Sequence, residues 1–148
     1  MSSTIQNLRD IARHCRQGEA LPPELSAWLG QSLSRFLSHE RPTTDKAFGL
    51  QRARGGVPWW KEEAMRRRDA ALRDLARLLC PTAPVAAQAR RIRSLALRYA
   101  ATAWPRERDE ETPPPASREP LRERLWTAFK SGAPMPIGER QLRHVLGH

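Results

Sequence analysis

Apolar residues recur at helical spacing from the first residues of the chain onward. Ile5, Leu8, Ile11 and Cys15 follow one another at intervals of three or four positions, and Gly18 comes soon after. Such spacing puts the apolar side chains on one face of a helix, and glycine commonly ends one. The pattern predicts a first amphipathic helix that stops at Gly18.

Three further helices are predicted before residue 105, and prolines mark two of their starts. Pro22 and Pro23 suit the first turn of a second helix, a third is predicted over 58–79, and a fourth over 85–104. The segment 51–57 (QRARGGV) is expected to be a loop because its Gly-Gly pair interrupts the pattern. The apolar positions expected to face inward are Leu25, Trp28, Leu29, Leu33, Phe36 and Leu37 in the second helix, Trp60, Ala64, Met65, Ala71, Leu72, Leu75 and Leu79 in the third, and Ile92, Leu95, Ala96, Tyr99 and Ala103 in the fourth.

The character of the sequence changes after the fourth predicted helix. Residues 105–120 (PRERDEETPPPASREP) are charged, proline-rich and nearly free of apolar side chains, which is typical of a linker or mobile loop. Two short helices are predicted after it, over 121–131 and 138–146, and no strand pattern occurs in the sequence. The sequence therefore predicts an all-α protein. It comprises a bundle of about four helices over 1–104, the linker, and a C-terminal helical hairpin over 121–148 that is helix-turn-helix-like.

Basic residues are concentrated in the middle of the chain. The net charge is +10, and residues 51–105 alone hold 12 basic and 4 acidic side chains. Between Leu75 and Arg106 there is no acidic residue. A concentrated positive field is typical of a protein with a polyanionic partner, most often nucleic acid. The preference for arginine over lysine suits phosphate and guanine contacts, although a GC-rich genome would also favour arginine.

The third and fourth predicted helices differ in how their arginines are balanced. In the third, Glu62, Glu63 and Asp69 each precede an arginine by four positions, the favourable order for an ion pair within a helix. The fourth has no acid within one turn of its arginines, which are Arg90, Arg91, Arg93 and Arg98. Their charge is therefore met by phosphate, by solvent, or by acids from the linker, for which the candidates are Glu107, Asp109, Glu110 and Glu111.

The two C-terminal helices resemble a helix-turn-helix. Leu125, Ala128 and Gly132, followed by Leu142 and Val145, provide the small residue, the turn glycine and the apolar positions of two crossing helices. Arginine and glutamine suit base edges in the major groove, and the side chains expected to face outward are Arg140, Gln141, Arg143 and His144. The turn GAPMP is long and carries two prolines. The alternative is an αα-hairpin that packs on the rest of the domain.

The tryptophan pair at 59–60 allows two interpretations. Trp59 and Trp60 follow Arg52, Arg54 and a Gly-Gly pair, an arrangement that suits stacking of an unpaired base beside phosphate contacts. A tryptophan at a helix start is more commonly a core residue. On that alternative Trp60 faces inward, and Trp59 remains the candidate for stacking.

The sequence contains no recognisable catalytic or metal-binding motif. The histidines lack HExxH or other ligand spacing, RGGVP lacks the Lys-Ser/Thr pair of a phosphate-binding loop, and neither cysteine lies in a nucleophile motif. Cys15 and Cys80 are expected to be buried free thiols. No signal peptide or membrane span is visible. We expect a cytoplasmic protein that is not an enzyme and needs no cofactor or metal.

Two stretches, LPPELSAWLGQSLSRFL (residues 21–37) and GGVPWWKEEAMRRRDAALRDLA (residues 55–76), resemble segments of small uncharacterised arginine-rich helical proteins of bacterial prophages and other mobile elements. The resemblance covers about a third of the chain and contains no functional motif. It implies a bacterial cytoplasmic setting and a role in host–phage biology, and it assigns no site residue.

Together these features predict a non-catalytic nucleic-acid-binding protein, with DNA favoured over RNA and a regulatory or mobile-element accessory role. The alternative is an accessory or inhibitory factor whose basic surface docks on an acidic protein. Neither involves a membrane, and the oligomeric state is left open. The predicted nucleic-acid contacts are Arg90, Arg91, Arg93 and Arg98, supported by Arg52, Arg54, Arg67 and Arg68, with sequence preference from Arg140, Gln141 and Arg143.

Overall fold

In the computed structural model, residues 2–116, 118–136 and 138–147 are described, and they contain eight helices and no strand. The all-α prediction is confirmed. The helices are α1 (Ser2–Gln17), α2 (Pro23–Leu37), α3 (Thr44–Ala47), α4 (Trp59–Leu79), α5 (Val85–Thr102), α6 (Trp104–Glu107), α7 (Pro120–Lys130) and α8 (Glu139–Leu146).

The chain divides into two compact units, Met1–Trp59 and Trp60–His148, here called unit 1 and unit 2. This division differs from the predicted one, in which residues 1–104 form one bundle and 121–148 a separate hairpin. Helices α1–α3 belong to unit 1, while α4 and α5 share unit 2 with α6, α7 and α8. The physical reason lies in the apolar positions of the C-terminal helices, which join the α4–α5 core.

Unit 1 has a small core. Ile11 of α1 is buried, as are Ala47 and Leu50 at the end of α3. The rings of Trp28 and Phe48 pack against each other with their centroids 5.6 Å apart. The predicted inward stripe of α2 is only partly buried, because Leu33 and Leu37 at its C-terminal end are exposed.

The core of unit 2 is built around α5. Its buried residues Ala89, Ile92, Ala96 and Tyr99 recur at three- and four-residue spacing on one helical face. The residues of other helices in the same apolar cluster are Ala71, Leu72, Leu75 and Ala76 of α4, Leu125, Trp126 and Ala128 of α7, and Leu142 and Val145 of α8.

Two arginines of α4 form hydrogen bonds with the C-terminal segment. A guanidinium nitrogen of Arg68 donates to the carbonyl oxygen of Pro134 (2.5 Å), and Nε of Arg73 donates to the carbonyl oxygen of Val145 (2.9 Å). Along the backbone α8 lies mainly against α5, whereas α7 lies beside α6. The placement of the two C-terminal helices therefore agrees with the alternative of a hairpin that packs on the rest of the domain.

The predicted linker begins later than the sequence pattern indicates. Residues 104–107 form α6, and the side chain of Glu107 is buried. Its Oε2 accepts from the Tyr99 hydroxyl (2.6 Å), and its backbone carbonyl accepts from Nε1 of Trp126 (3.1 Å). Arg122 also binds this carboxylate. The first residues of the predicted linker therefore belong to the folded unit, because Glu107 has its binding partners in the interior.

The first turns of α4 are more exposed than predicted. Trp60 is 55% exposed and Met65 36%, although both were expected to face inward, and Trp59 is half-buried. The apolar cluster of unit 2 contains no residue of α4 before Ala71, so the start of this 21-residue helix extends beyond the core. Cys15 is exposed rather than buried, and both cysteines are free.

Candidate nucleic-acid interface

The four arginines of α5 are all exposed. Successive helical residues are about 100° apart around the axis, so Arg90, Arg91 and Arg98 lie on the side of α5 that faces away from its buried residues. Arg93 lies on one flank of the helix, beside the exposed Leu97. The face predicted from sequence periodicity for Arg91 and Arg98 is the one that the structure gives them.

No carboxylate of the described residues lies within 4.0 Å of the guanidinium groups of Arg90, Arg91 or Arg98. The linker acids proposed as their cover have other surroundings. Glu107 binds Tyr99 and Arg122 inside unit 2, and the carboxylate of Asp109 lies 3.7 Å from Arg108. The acidic-cover alternative therefore does not hold for these arginines within the part of the chain that is described.

Arg98 forms one wall of a groove of about 360 Å³ that runs between α5, α6 and α7. Arg106 and Arg122 also line it, together with Leu95 and Leu121. Arg122 is already neutralised by Glu107 and by Glu119 at 3.0 Å. Arg98 and Arg106 have no carboxylate within 4.0 Å among the described residues, so their charge remains available to an anion.

Tyr99 lines this groove, and its hydroxyl makes a buried contact with Glu107. Burial raises the pKa of Tyr99 to about 12, and the positive charge of Arg122 partly opposes this shift. The phenol is therefore neutral at physiological pH, and its hydroxyl donates a hydrogen bond to the Glu107 carboxylate. This contact also fixes the end of α6, where Arg106 is located.

A larger cleft of about 670 Å³ lies beside α8. It brings together Arg68 of α4 with Arg140, Gln141 and His144 of α8, and the turn at 134–136 closes one side. Arg68 is held by Pro134 and by Asp69 at 2.7 Å, and its side chain is only 13% exposed. Arg68 is therefore a structural contact of the C-terminal segment, whereas Arg140 and Gln141 are exposed.

The α8 cleft and the flank of α5 share a wall. Met135 and Pro136 line the cleft and also a small apolar pocket that Arg93 and Leu97 border from α5. Three of the four α5 arginines therefore face outward, and the fourth borders the wall that leads to α8. We use the term α5–α8 surface for Arg90, Arg91, Arg93, Arg98, Arg106, Arg140, Gln141 and Arg143.

Arg143 belongs to this surface, whereas the remaining predicted site residues, Arg67, Arg52 and Arg54, are not included in it. Arg143 is half exposed, with a guanidinium nitrogen 4.0 Å from the carboxylate of Glu139. Arg67 is exposed on α4. Arg52 and Arg54 lie in unit 1, in the irregular segment before α4, with Arg52 half-buried and Arg54 exposed.

Ion pairs form within α4, but they join residues three positions apart rather than the predicted four. Arg66 pairs with Glu63 (3.4 Å) and Arg77 with Asp74 (2.7 Å), both three positions apart. The predicted pair of Asp69 with the arginine at 73 is wrong. Asp69 binds Arg68 instead, and Arg73 donates a hydrogen bond to the carbonyl oxygen of Val145 in α8.

The sequence did not single out Arg106 or Arg122 as neighbours of Arg98. Both follow residue 104, in the segment predicted to be a linker and in the helix after it, and only the packing of α6 and α7 on α5 brings them together. Among the described residues, no group of three or more histidines, cysteines or acids could hold a metal ion. None of the helices described is both long and apolar enough to cross a membrane.

Comparison with known proteins gives no match: no family model, no curated protein and no solved structure is found to be similar to this chain. The resemblance to prophage proteins remains a prediction.

Proposed function

We propose that this protein binds nucleic acid without catalysing a reaction, and that the α5–α8 surface contacts the phosphate backbone. The observation that carries the proposal is that the exposed guanidinium groups of Arg90, Arg91 and Arg98 on α5 have no carboxylate within 4.0 Å among the described residues. Like charges on one helical face repel one another, and a polyanion relieves that repulsion while releasing its own counterions.

The proposal favours duplex DNA over RNA. α8 presents Arg140 and Gln141 beside an open cleft, and these side chain types match guanine and adenine edges in the major groove. A helix of eight residues is about 12 Å long, which is comparable to the width of that groove. Arg90, Arg91 and Arg98 then supply contacts that position α8 without reading sequence.

The direct test is a gel-shift titration with duplex DNA over a series of salt concentrations. Arg91→Ala and Arg98→Ala should each weaken binding, and each should reduce the slope of log K against log salt by about 0.9, the value of one lost phosphate contact. No binding at low salt, or a slope unchanged in both variants, would contradict the proposal.

The matched control is Arg77→Ala. Arg77 is an exposed arginine of the same unit, and its substitution removes the same formal charge. Its guanidinium group already pairs with Asp74 at 2.7 Å. We therefore expect a smaller effect on DNA affinity than at Arg91. Equal losses in all three variants would indicate a response to net charge rather than contacts at α5.

The second candidate function is docking of the basic surface on an acidic protein as an accessory or inhibitory factor. The observation that favours it is the apolar pocket beside Arg93, where Leu97 is 47% exposed next to Phe129 and Met135. Mixed arginine and apolar surface is typical of protein interfaces. A partner retained from nuclease-treated lysate by the wild type, and lost with Leu97→Asp, would support this function over DNA binding. The cytoplasmic setting and a mobile-element role remain part of the proposal.

A further inference from the structure

A second cationic cleft lies in unit 1 and is lined by none of the residues assigned above to nucleic acid. It measures about 500 Å³ and is bordered by the start of α1, by α2 from Trp28 to Arg35, and by the chain around α3. Three of its lining residues are cations, Arg35, Arg41 and Lys46, and no aspartate or glutamate lines it. The glutamines at 31 and 51 also line the cleft.

A chain reversal after α2 builds the first side of this cleft. After α2, His39 adopts a left-handed backbone conformation with φ of 59°, which costs roughly 1–2 kcal/mol for a residue other than glycine. The backbone N–H of Arg41 then donates to the carbonyl oxygen of Arg35 at 3.0 Å. This bond ties the second arginine of the cleft to the first.

The other side is formed by the short helix α3. The Thr43 hydroxyl accepts from the backbone N–H of Lys46 (3.3 Å), and Gly49 turns the chain back with φ of 71°. The backbone N–H of Gln51 donates to the carbonyl oxygen of Asp45 at 3.2 Å. Backbone hydrogen bonds therefore hold positions 46 and 51, which line the cleft.

The positive charge of the cleft is not balanced by nearby acids. Among the described residues no carboxylate lies within 4.0 Å of the charged groups of Arg35, Arg41 or Lys46. The C-terminal end of α2 carries a partial charge of about −0.5, which offsets only a fraction of three cations. An anion is the ligand that this arrangement accommodates best.

Aromatic and polar residues narrow the class of anion. Trp28 and Phe48 line the same cleft as a contacting pair, and the buried Ser32 lines it as well. A phosphate alone would use the cations and make no use of the accessible part of the Trp28 ring. A planar base can stack on an indole, and glutamine amides can bind its polar edge.

We propose that the unit 1 cleft binds a nucleoside phosphate. Arg35, Arg41 and Lys46 bind the phosphate, and the base contacts the exposed part of Trp28. This inference does not depend on the DNA-binding proposal, because the two sites share no residue.

The test is isothermal titration of the full-length protein with ADP, alongside pyrophosphate and adenosine as probes of each half. ADP should bind more tightly than either probe. Arg35→Gln and Arg41→Gln should each weaken ADP binding about tenfold, the loss expected for one charge-assisted hydrogen bond. Both variants keep the backbone bond between positions 35 and 41, and circular dichroism checks that unit 1 remains folded.

The matched control is Arg16→Gln, which removes the same charge from an exposed position of unit 1 outside the cleft. It should leave the affinity for ADP unchanged, as should Arg91→Ala in unit 2. No binding of ADP, or an equal loss in Arg16→Gln, would overturn the site.

Trp28→Phe separates a nucleotide site from a general anion site. It should weaken ADP and leave pyrophosphate unaffected, because only the base contacts the ring. An unchanged affinity for ADP would overturn the nucleoside part of the proposal. Competition between ADP and a short oligothymidine would identify a nucleotide within a strand as the ligand, and its absence would identify a free nucleotide; both results support the site.

Discussion

At the scale of single residues, Glu107 is a charged residue buried in unit 2. The residue is 8% exposed, and its carboxylate binds the Tyr99 hydroxyl and the Arg122 guanidinium group. A buried carboxylate with two such partners is stabilised, whereas loss of its charge leaves the arginine without part of its compensation.

We therefore expect Glu107→Gln to lower the free energy of unfolding by about 1–3 kcal/mol, the range for hydrogen bonds to charged groups. Chemical denaturation followed by circular dichroism measures this change. The control is Glu110→Gln, an exposed acid three positions later, for which we expect a change within about 0.5 kcal/mol. Equal effects of the two substitutions would show that the buried contact contributes little.

The sequence predicts which residues are exposed only for a helix that packs against the core along its whole length. The periodicity places Arg91 and Arg98 on the outer face of α5, and the structure agrees. The same periodicity fails for Trp60, because spacing does not reveal where a helix extends beyond its core. It gives no sign of Glu107 either, since a buried acid among charged neighbours is defined by partners distant in sequence.

At the scale of elements, α8 is held by one fully buried side chain. Leu142 has no exposed surface and belongs to the apolar cluster formed with α4, α5 and α7. Hydrogen bonds from Arg68 and Arg73 hold the two ends of this segment.

We expect Leu142→Ala to destabilise unit 2 by about 2–5 kcal/mol and to raise hydrogen exchange across α8. Exchange followed by mass spectrometry would locate the effect. Leu97→Ala offers a matched control, because Leu97 is 47% exposed on α5 and should lose no more than about 0.5 kcal/mol. If α8 exchanged no faster in the Leu142 variant, its docking through this residue would be refuted.

Helix bounds were predictable to within a few residues, because prolines and glycines mark them. The predicted start of the fourth helix at residue 85 coincides with that of α5, and the predicted third helix differs from α4 by one residue. The partner of α8 was not predictable. Its apolar face fits a short hairpin with α7 as well as it fits α5, and only the three-dimensional contacts distinguish the two.

At the scale of the whole molecule, segment 108–119 shows how the chain divides into compact units. It follows α6, which is packed into the core, and it precedes α7, so it connects two parts of a single apolar cluster. The sequence predicted a boundary between domains here, because its composition is that of a linker. The boundary between the compact units lies instead at the start of α4, where only a Gly-Gly pair and a proline mark it.

We expect unit 2 to remain folded after cleavage of the chain in this segment. A specific protease site inserted between Thr112 and Pro113, both exposed, should yield two pieces that co-elute in size-exclusion chromatography. Ile92 of the first piece and Leu125 of the second belong to the same core, so the pieces should separate only in denaturant. The uncut protein is the control. Separation in native buffer would mean that residues 121–148 form an independent domain.

The buried position of Tyr99 has a practical consequence. It is the chain's single tyrosine, so phenolate absorbance has one source, an intrinsic chromophore at the centre of unit 2. Its pKa is raised to about 12 from 10.0, so the stability that its neutral form contributes is complete below pH 10 and is lost as the pH rises through 12. Spectrophotometric titration would therefore report the integrity of this interior without any label.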